Sequence, residues 1–326
     1  MNPTTTRPGP QPITAECFPT PGLILRTNNP SVQRTLQEFG HEQAAATRSL
    51  LQILNEKLPD ACGIDERTAV FTTVFEATED WRYRIAATKP HPTGRYGADH
   101  AERFRTPITD DNRNLFRIGE HERLREGVGW DSITRTYTGG TETPASRTMR
   151  QFGALAAARL ARSPGADIIS NHVTLPDGHV VNGMRLLRAG AARHAAAEMA
   201  ARIAARGGDT SRIVTDGDLI YIASAPENDR RTIFHGAMAL LAQDHATPAD
   251  ATTAWTEAAY LLYQAPRRKR GSDATTRTFL IATGALLLAH PPVLLHDIDL
   301  RAYIQSQVQF VAELRAAQGG GVDAAP

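Results

Sequence analysis

Four consecutive cations followed at once by a long apolar run constrain the fold more than any other feature of this chain. Tyr260 to Pro292 reads YLLYQAPRRKRGSDATTRTFLIATGALLLAHPP. A loop carrying Arg267, Arg268, Lys269 and Arg270 leads through Gly271 into a helix that Ser272 or Asp273 is placed to cap, since either side chain can accept from the first unpaired N–H groups. Phe279, Leu280, Ile281, Leu286, Leu287 and Leu288 make that helix apolar around most of its circumference, so it is expected at the centre of a domain. Its N-terminus combines free N–H groups, the positive end of the helix dipole and the cation cluster, a combination that suits an anion, phosphate above all. The plain alternative is a solvated basic loop.

From Asp216 to Glu313 the chain resembles the core of the Fic/Doc superfamily, whose signature is HxFx(D/E)GNGRxxR followed by an apolar helix, a Pro-Pro turn and a short amphipathic helix. With Gly271 on the first motif glycine, Arg277 falls on the last motif arginine, and Leu286 to Val293 becomes the helix end and Pro-Pro turn, one residue longer than usual. The chemistry departs from the frame. Pro266 stands where the family has its catalytic His, Arg270 where it has the Mg-binding acid, Ser272 where it has Asn, Asp273 where it has the second Gly, and Ala274 where it has the first Arg. Proline offers no proton acceptor and arginine ligates no cation, so AMP transfer by the family's usual mechanism is not expected. What the resemblance implies instead is a phosphate cradle in which Arg270 offsets charge directly and Mg²⁺ is not required.

The remaining chain is read around that core. Its 326 residues, 41% of them hydrophobic, suffice for a large core, and 36 Lys and Arg against 35 Asp and Glu exclude a global electrostatic attraction to nucleic acid or membrane. Cys17 and Cys62 match no metal spacing, no apolar run is long enough to span a bilayer, and no signal-peptide pattern is present, so the expectation is a cytoplasmic protein with two incidental thiols and no membrane partner. Seven prolines within residues 1–30 predict a disordered arm. Residues 31–165 read as an α+β region of unassigned fold, with one or two helices ending at Pro59, a strand over Thr68 to Phe75, and a charged helix near Asp111 to Glu126. Arginines 82, 84, 95, 103 and 105 interleave with Trp81, Tyr83, Tyr96 and Phe104, which fits nucleotide stacking or ordinary packing.

Residues 166–317 read as the Fic-like helical domain and 318–326 as a flexible tail. A hairpin over Ile168 to Leu187 turns at Pro176-Asp177-Gly178, with His172 and His179 placed to face each other. A helix follows over Ala189 to Arg206, then a second hairpin over Arg212 to Ala223 about Asp216-Gly217, corresponding to the family's flap, where a protein acceptor would dock as an added strand. The fold class is therefore mainly α, with one or two small hairpins. His235 and Asp273 are the candidate bases, although an N-cap role suits Asp273 and a packed core role suits His235. Three functions fit: a divergent Fic-like transferase whose nucleotide or phosphorylated substrate is held by Arg267, Arg268, Lys269, Arg270, Gly271, Ser272 and Arg277; a catalytically silent Fic-like binder of a nucleotide or partner; and a nucleic-acid or protein binding module using the basic loop.

Overall fold

Threonine followed by proline opens two of the helices. Thr143 and Thr247 each accept from the N–H three residues on, Ser146 and Asp250 reach back to the cap N–H, and Pro144 and Pro248 occupy the first helical position, where no N–H is needed. The computed structural model describes residues 12–88 and 99–319. Their elements in chain order are α1 (Pro30–Gln37), α2 (Phe39–Lys57), α3 (Ile64–Thr88), α4 (Asp99–Glu102), β1 (Leu115–Ile118), β2 (Gly129–Asp131), β3 (Thr136–Thr138), α5 (Pro144–Ala161), β4 (Ile168–Thr174), β5 (Val180–Leu187), α6 (Ala189–Ala204), β6 (Ile220–Ala223), α7 (Glu227–Ala242), α8 (Pro248–Gln264), α9 (Ser272–Leu287), α10 (Ile298–Ile304) and α11 (Gln307–Gly319). The fold is mainly α.

As its composition requires, α9 runs through the main core. Every residue from Thr275 to Gly284 is buried, and the helix packs against α2, α3 and α8. The Trp255 indole N–H donates to the Leu280 carbonyl at 3.0 Å, so even the large aromatic on α8 arrives with its polar atom satisfied. One apolar cluster joins Leu50 and Leu54 of α2, Phe71, Val74 and Phe75 of α3, and Trp255, Phe279 and Phe310, so the boundary at residue 165 does not separate two cores.

A four-stranded antiparallel sheet in the order β1-β6-β5-β4 lies on the flank. Strand alternation divides its side chains. Ile118, Ile222, Met184 and Leu186 meet Met149, Phe152 and Ala156 of α5, whereas Tyr221, Ala223 and Leu187 meet Ala192, Ala195 and Ala196 of α6. The contact with α5 is so close that a Cβ on Gly153 would lie 2.5 Å from Gly119 Cα. Between sheet and bundle sits the fully buried Gln264: its Oε1 accepts from Asn171 Nδ2 (2.9 Å) and Met184 N (2.8 Å), and its Nε2 donates to the Ala302 carbonyl (2.6 Å). Asn171 reaches it because the β4 register shifts between Ser170 and His172.

Several expectations are corrected. Thr68 to Phe75 is helical: Phe71, Val74, Phe75 and Thr78 form a buried face at helical spacing, and Thr72, Thr73 and Thr78 satisfy their hydroxyls on carbonyls four residues back. The Asp111 to Glu126 segment forms β1 and a short 3-10 turn in place of a helix, since Leu115 faces α6 while Phe116 and Ile118 face α5. The hairpin over Ile168 to Leu187 forms as expected, but His172 pairs with Asn182 and His179 turns back onto Asp177, so the two histidines do not meet. The second hairpin does not form. Only Ile220–Ala223 is extended, and both its neighbours come from elsewhere in the chain. The proline-rich arm is ordered from Pro12: Ile13 and Phe18 are buried, and Arg48 donates to the Ile13 carbonyl at 2.8 Å. The prolines there leave only two short 3-10 turns, Ala15–Cys17 and Gly22–Ile24, and they do not prevent burial. Arg95, Tyr96, residues 1–11 and the tail beyond Gly319 lie outside the described residues. Both cysteines are free thiols, and among the described residues no helix is long and apolar enough to cross a membrane.

Candidate functional site

The basic loop does not converge on one point, and the reason is where α3 places its acids. Backbone pairing of Ile108 N with the Arg267 carbonyl and of Lys269 N with the Thr106 carbonyl, both 3.0 Å, holds the loop extended. Arg267 then meets Glu76 at 3.1 Å and lies over the Phe234 ring, while Arg268 meets the buried Glu79 at 2.8 Å and donates to the Arg105 carbonyl. Lys269 donates to the carbonyls of Asn112 and Arg113, each at 2.9 Å. Burial and the nearby Arg202, Arg103 and Arg206 push its ammonium down to about 8.

The expected site residues therefore divide between two clefts. Arg267 and Arg268 line a cavity of about 460 Å³ between α3 and α7, together with Arg230, Arg231 and His235. His235 is exposed on its rim, so the packed core role expected for it does not hold. Lys269, Arg270, Gly271, Ser272 and Asp273 line a second cavity of about 440 Å³ at the N-terminus of α9. Its apolar lining is formed by Phe116, Met184 and Ile222 of the sheet and by Leu23 of the N-terminal segment. The interleaved arginines and aromatics pack against each other: Arg82 lies over Phe104 at 4.2 Å and Arg105 over Tyr83 at 3.4 Å. Burial first, and the Arg270 charge second, push the Arg82 guanidinium down to about 10.

Gly271 caps α9 through backbone geometry, with φ of 80° and no capping side chain. A Cβ there would lie 2.7 Å from the Phe104 ring, which adds a second reason for glycine. Neither Ser272 nor Asp273 serves as N-cap, contrary to expectation. Ser272 donates its hydroxyl to the Arg268 carbonyl, and Asp273 accepts from Arg277 Nε at 2.8 and 3.0 Å and from the Tyr263 hydroxyl at 3.1 Å. Arg277 is 1% exposed and its Nη1 donates to the Pro19 carbonyl at 3.2 Å, whereas its Nη2 is buried with no hydrogen-bond partner among the described residues. Burial opposes the charge on Arg277, but the Asp273 carboxylate, with Tyr263 and Asp299, more than offsets it and raises its pKa.

Sequence reasoning missed Asp299. It follows the buried Asp297 at the start of α10 and lines the same cavity as Arg270, Ser272 and Asp273, as does Tyr303. Burial first, then the Asp273 carboxylate, push the Asp299 carboxyl up to about 7, with Arg277 acting in the opposite direction. Burial also pushes the Tyr263 and Tyr303 hydroxyls well up. Lys269, Arg270, Gly271, Ser272 and Asp273 were expected together from their place at the start of α9, and the i, i+4 spacing of Asp273 and Arg277 is the signal along the chain for their ion pair. Among the described residues no group of three or more His, Cys, Asp or Glu side chains is arranged to hold a metal ion. No known protein family matches the chain, and no curated protein matches it.

Proposed function

We propose that this protein is a transferase acting on a nucleotide or another phosphorylated substrate, bound in the cavity at the N-terminus of α9. The observation that carries the reading is the make-up of that cavity. A helix N-terminus without a side-chain cap, with Arg270 and Ser272, lines one part of it, and the apolar side chains of Leu23, Phe116, Met184 and Ile222 line another. Arg277, which does not itself line the cavity, holds the lining Asp273 in place through its Nε. Arg267 and Arg268 line the other cleft, where they meet Glu76 and Glu79, so the cradle is smaller than the four-cation loop implies.

The Fic-like resemblance supports the same location, since its phosphate site also lies at the start of the motif helix. Calorimetry and thermal shift with nucleoside triphosphates, nucleotide sugars and pyrophosphate, with and without Mg²⁺, test the reading. Binding that persists without Mg²⁺ and weakens at least tenfold in Arg270→Ala is expected. No binding by the wild type would remove it, and binding with no transfer to any hydroxyl would leave a silent nucleotide binder.

A further inference from the structure

We infer that Asp299 is the proton acceptor of the α9 cavity, taking the proton of an acceptor hydroxyl as that oxygen attacks the substrate's phosphorus; this rests on the transferase reading above. The motif position that would carry a base is Pro266, and the substitute must come from elsewhere in the fold. Besides Lys269, whose ammonium is committed to the Asn112 and Arg113 carbonyls, and Tyr303, whose hydroxyl burial keeps protonated, three side chains on the cavity wall can accept a proton in principle, and geometry separates them. Asp273 has its oxygens engaged by Arg277 Nε and the Tyr263 hydroxyl. The Ser272 hydroxyl is directed to the Arg268 carbonyl. Asp299 is the carboxylate that remains, on a different helix, accepting from the Leu300 N–H.

Its helix is held rigidly for the purpose. The carbonyls of Ala302, Tyr303 and Ile304 accept from Gln264, Asn171 and Arg159, which fixes α10 against α8, β4 and α5. The charged and titratable groups facing Asp299 are Asp273 and Arg277 from α9, Tyr263 from α8, Tyr303 on α10 itself, and Asp297 just before it, with Lys269 and Arg270 on the cavity wall. The paired acids divide the work: Asp273 fixes Arg277, and Asp299, raised by its surroundings into the neutral range, exchanges a proton at working pH.

In the step itself, the acceptor O–H bond breaks and its proton passes to the Asp299 carboxylate. A new O–P bond forms to the bound phosphoryl group. The P–O bond to the leaving group breaks, and its electron pair departs on the leaving phosphate oxygen. Asp299 then returns the proton to solvent. Every atom is supplied by the hydroxyl acceptor and the phosphorylated donor.

The test uses ATP, CTP and pyrophosphate as probes on the full chain. Bringing phosphate charge beside Asp299 raises its proton affinity, so binding near pH 7.5 should take up a fraction of a proton, read from calorimetry in two buffers of different ionisation enthalpy. Asp299→Asn should bind the same probe as tightly or more tightly, reduce the uptake to the share taken by Lys269, whose ammonium is pushed down to about 8 in the same cavity, and lower any transfer rate by about 10²–10⁴-fold. Asp299→Glu should restore part of the uptake. Uptake and rate unchanged in Asp299→Asn overturn the assignment of Asp299 alone, while failure of the wild type to bind any probe overturns the cavity reading and this one with it.

Discussion

Replacing Asp299 by Asn should stabilise the protein more as the pH rises. An Asp in an unfolded chain titrates near 3.9, whereas burial and the neighbouring Asp273 carboxylate push Asp299 up to about 7. Between those values the native state holds a proton that the unfolded chain has released, so this group's contribution to stability falls as pH rises, from about pH 4 until the loss is complete above about pH 7. The full difference corresponds to about 4 kcal/mol. Asp299 is only partly buried, so solvent screening brings the effect to about 2 kcal/mol. Asn does not titrate. The gain in unfolding free energy of Asp299→Asn over wild type should therefore grow by about 1.3 kcal/mol between pH 5 and pH 8, the part of that window lying above pH 5, measured by urea denaturation with unchanged slope. The raised His296, held by Asp297, titrates in both proteins and cancels in the difference. A difference that stays flat within about 0.5 kcal/mol over that range, or that falls, would refute the reasoning.

Two further perturbations address how the site is built. Gln264→Ala removes the acceptor of both Asn171 Nδ2 and Met184 N and the donor to Ala302, in a position with no exposure; a loss of about 3–5 kcal/mol is expected by chemical denaturation, and a loss below about 1.5 kcal/mol would show that the sheet and α10 are joined by other contacts. Arg268→Ala leaves the buried Glu79 with only the longer 3.7 Å contact to Arg267, so stability should fall by about 1–3 kcal/mol while nucleotide affinity stays within about twofold. A tenfold loss of affinity measured by calorimetry would return Arg268 to the phosphate cradle.

Much of the bundle was legible along the chain, because local chemistry decided it. The apolar run after Gly271 had to be central, and it is; the Pro-Asp-Gly turn had to make a hairpin, and β4 and β5 pair as that turn dictates. The alanine-rich segment ending at Gly207 had to be a helix, and α6 is one. Where local preference and burial disagreed, burial prevailed: β-branched residues from Thr68 onward became helix because Phe71, Val74 and Phe75 share a face against α9.

The site belonged to tertiary structure. Four adjacent cations along the chain carry no information about which acids will stand opposite them, and Glu76 and Glu79, nearly two hundred residues away in sequence, draw Arg267 and Arg268 out of the α9 cavity. Asp299 had no motif to mark it, since its character comes from a cavity closed by β1, β5, β6 and the N-terminal segment. Residue type and spacing determine helices and turns because their hydrogen bonds close within a few residues. Proton affinity and charge pairing depend on distances that only the packed chain sets.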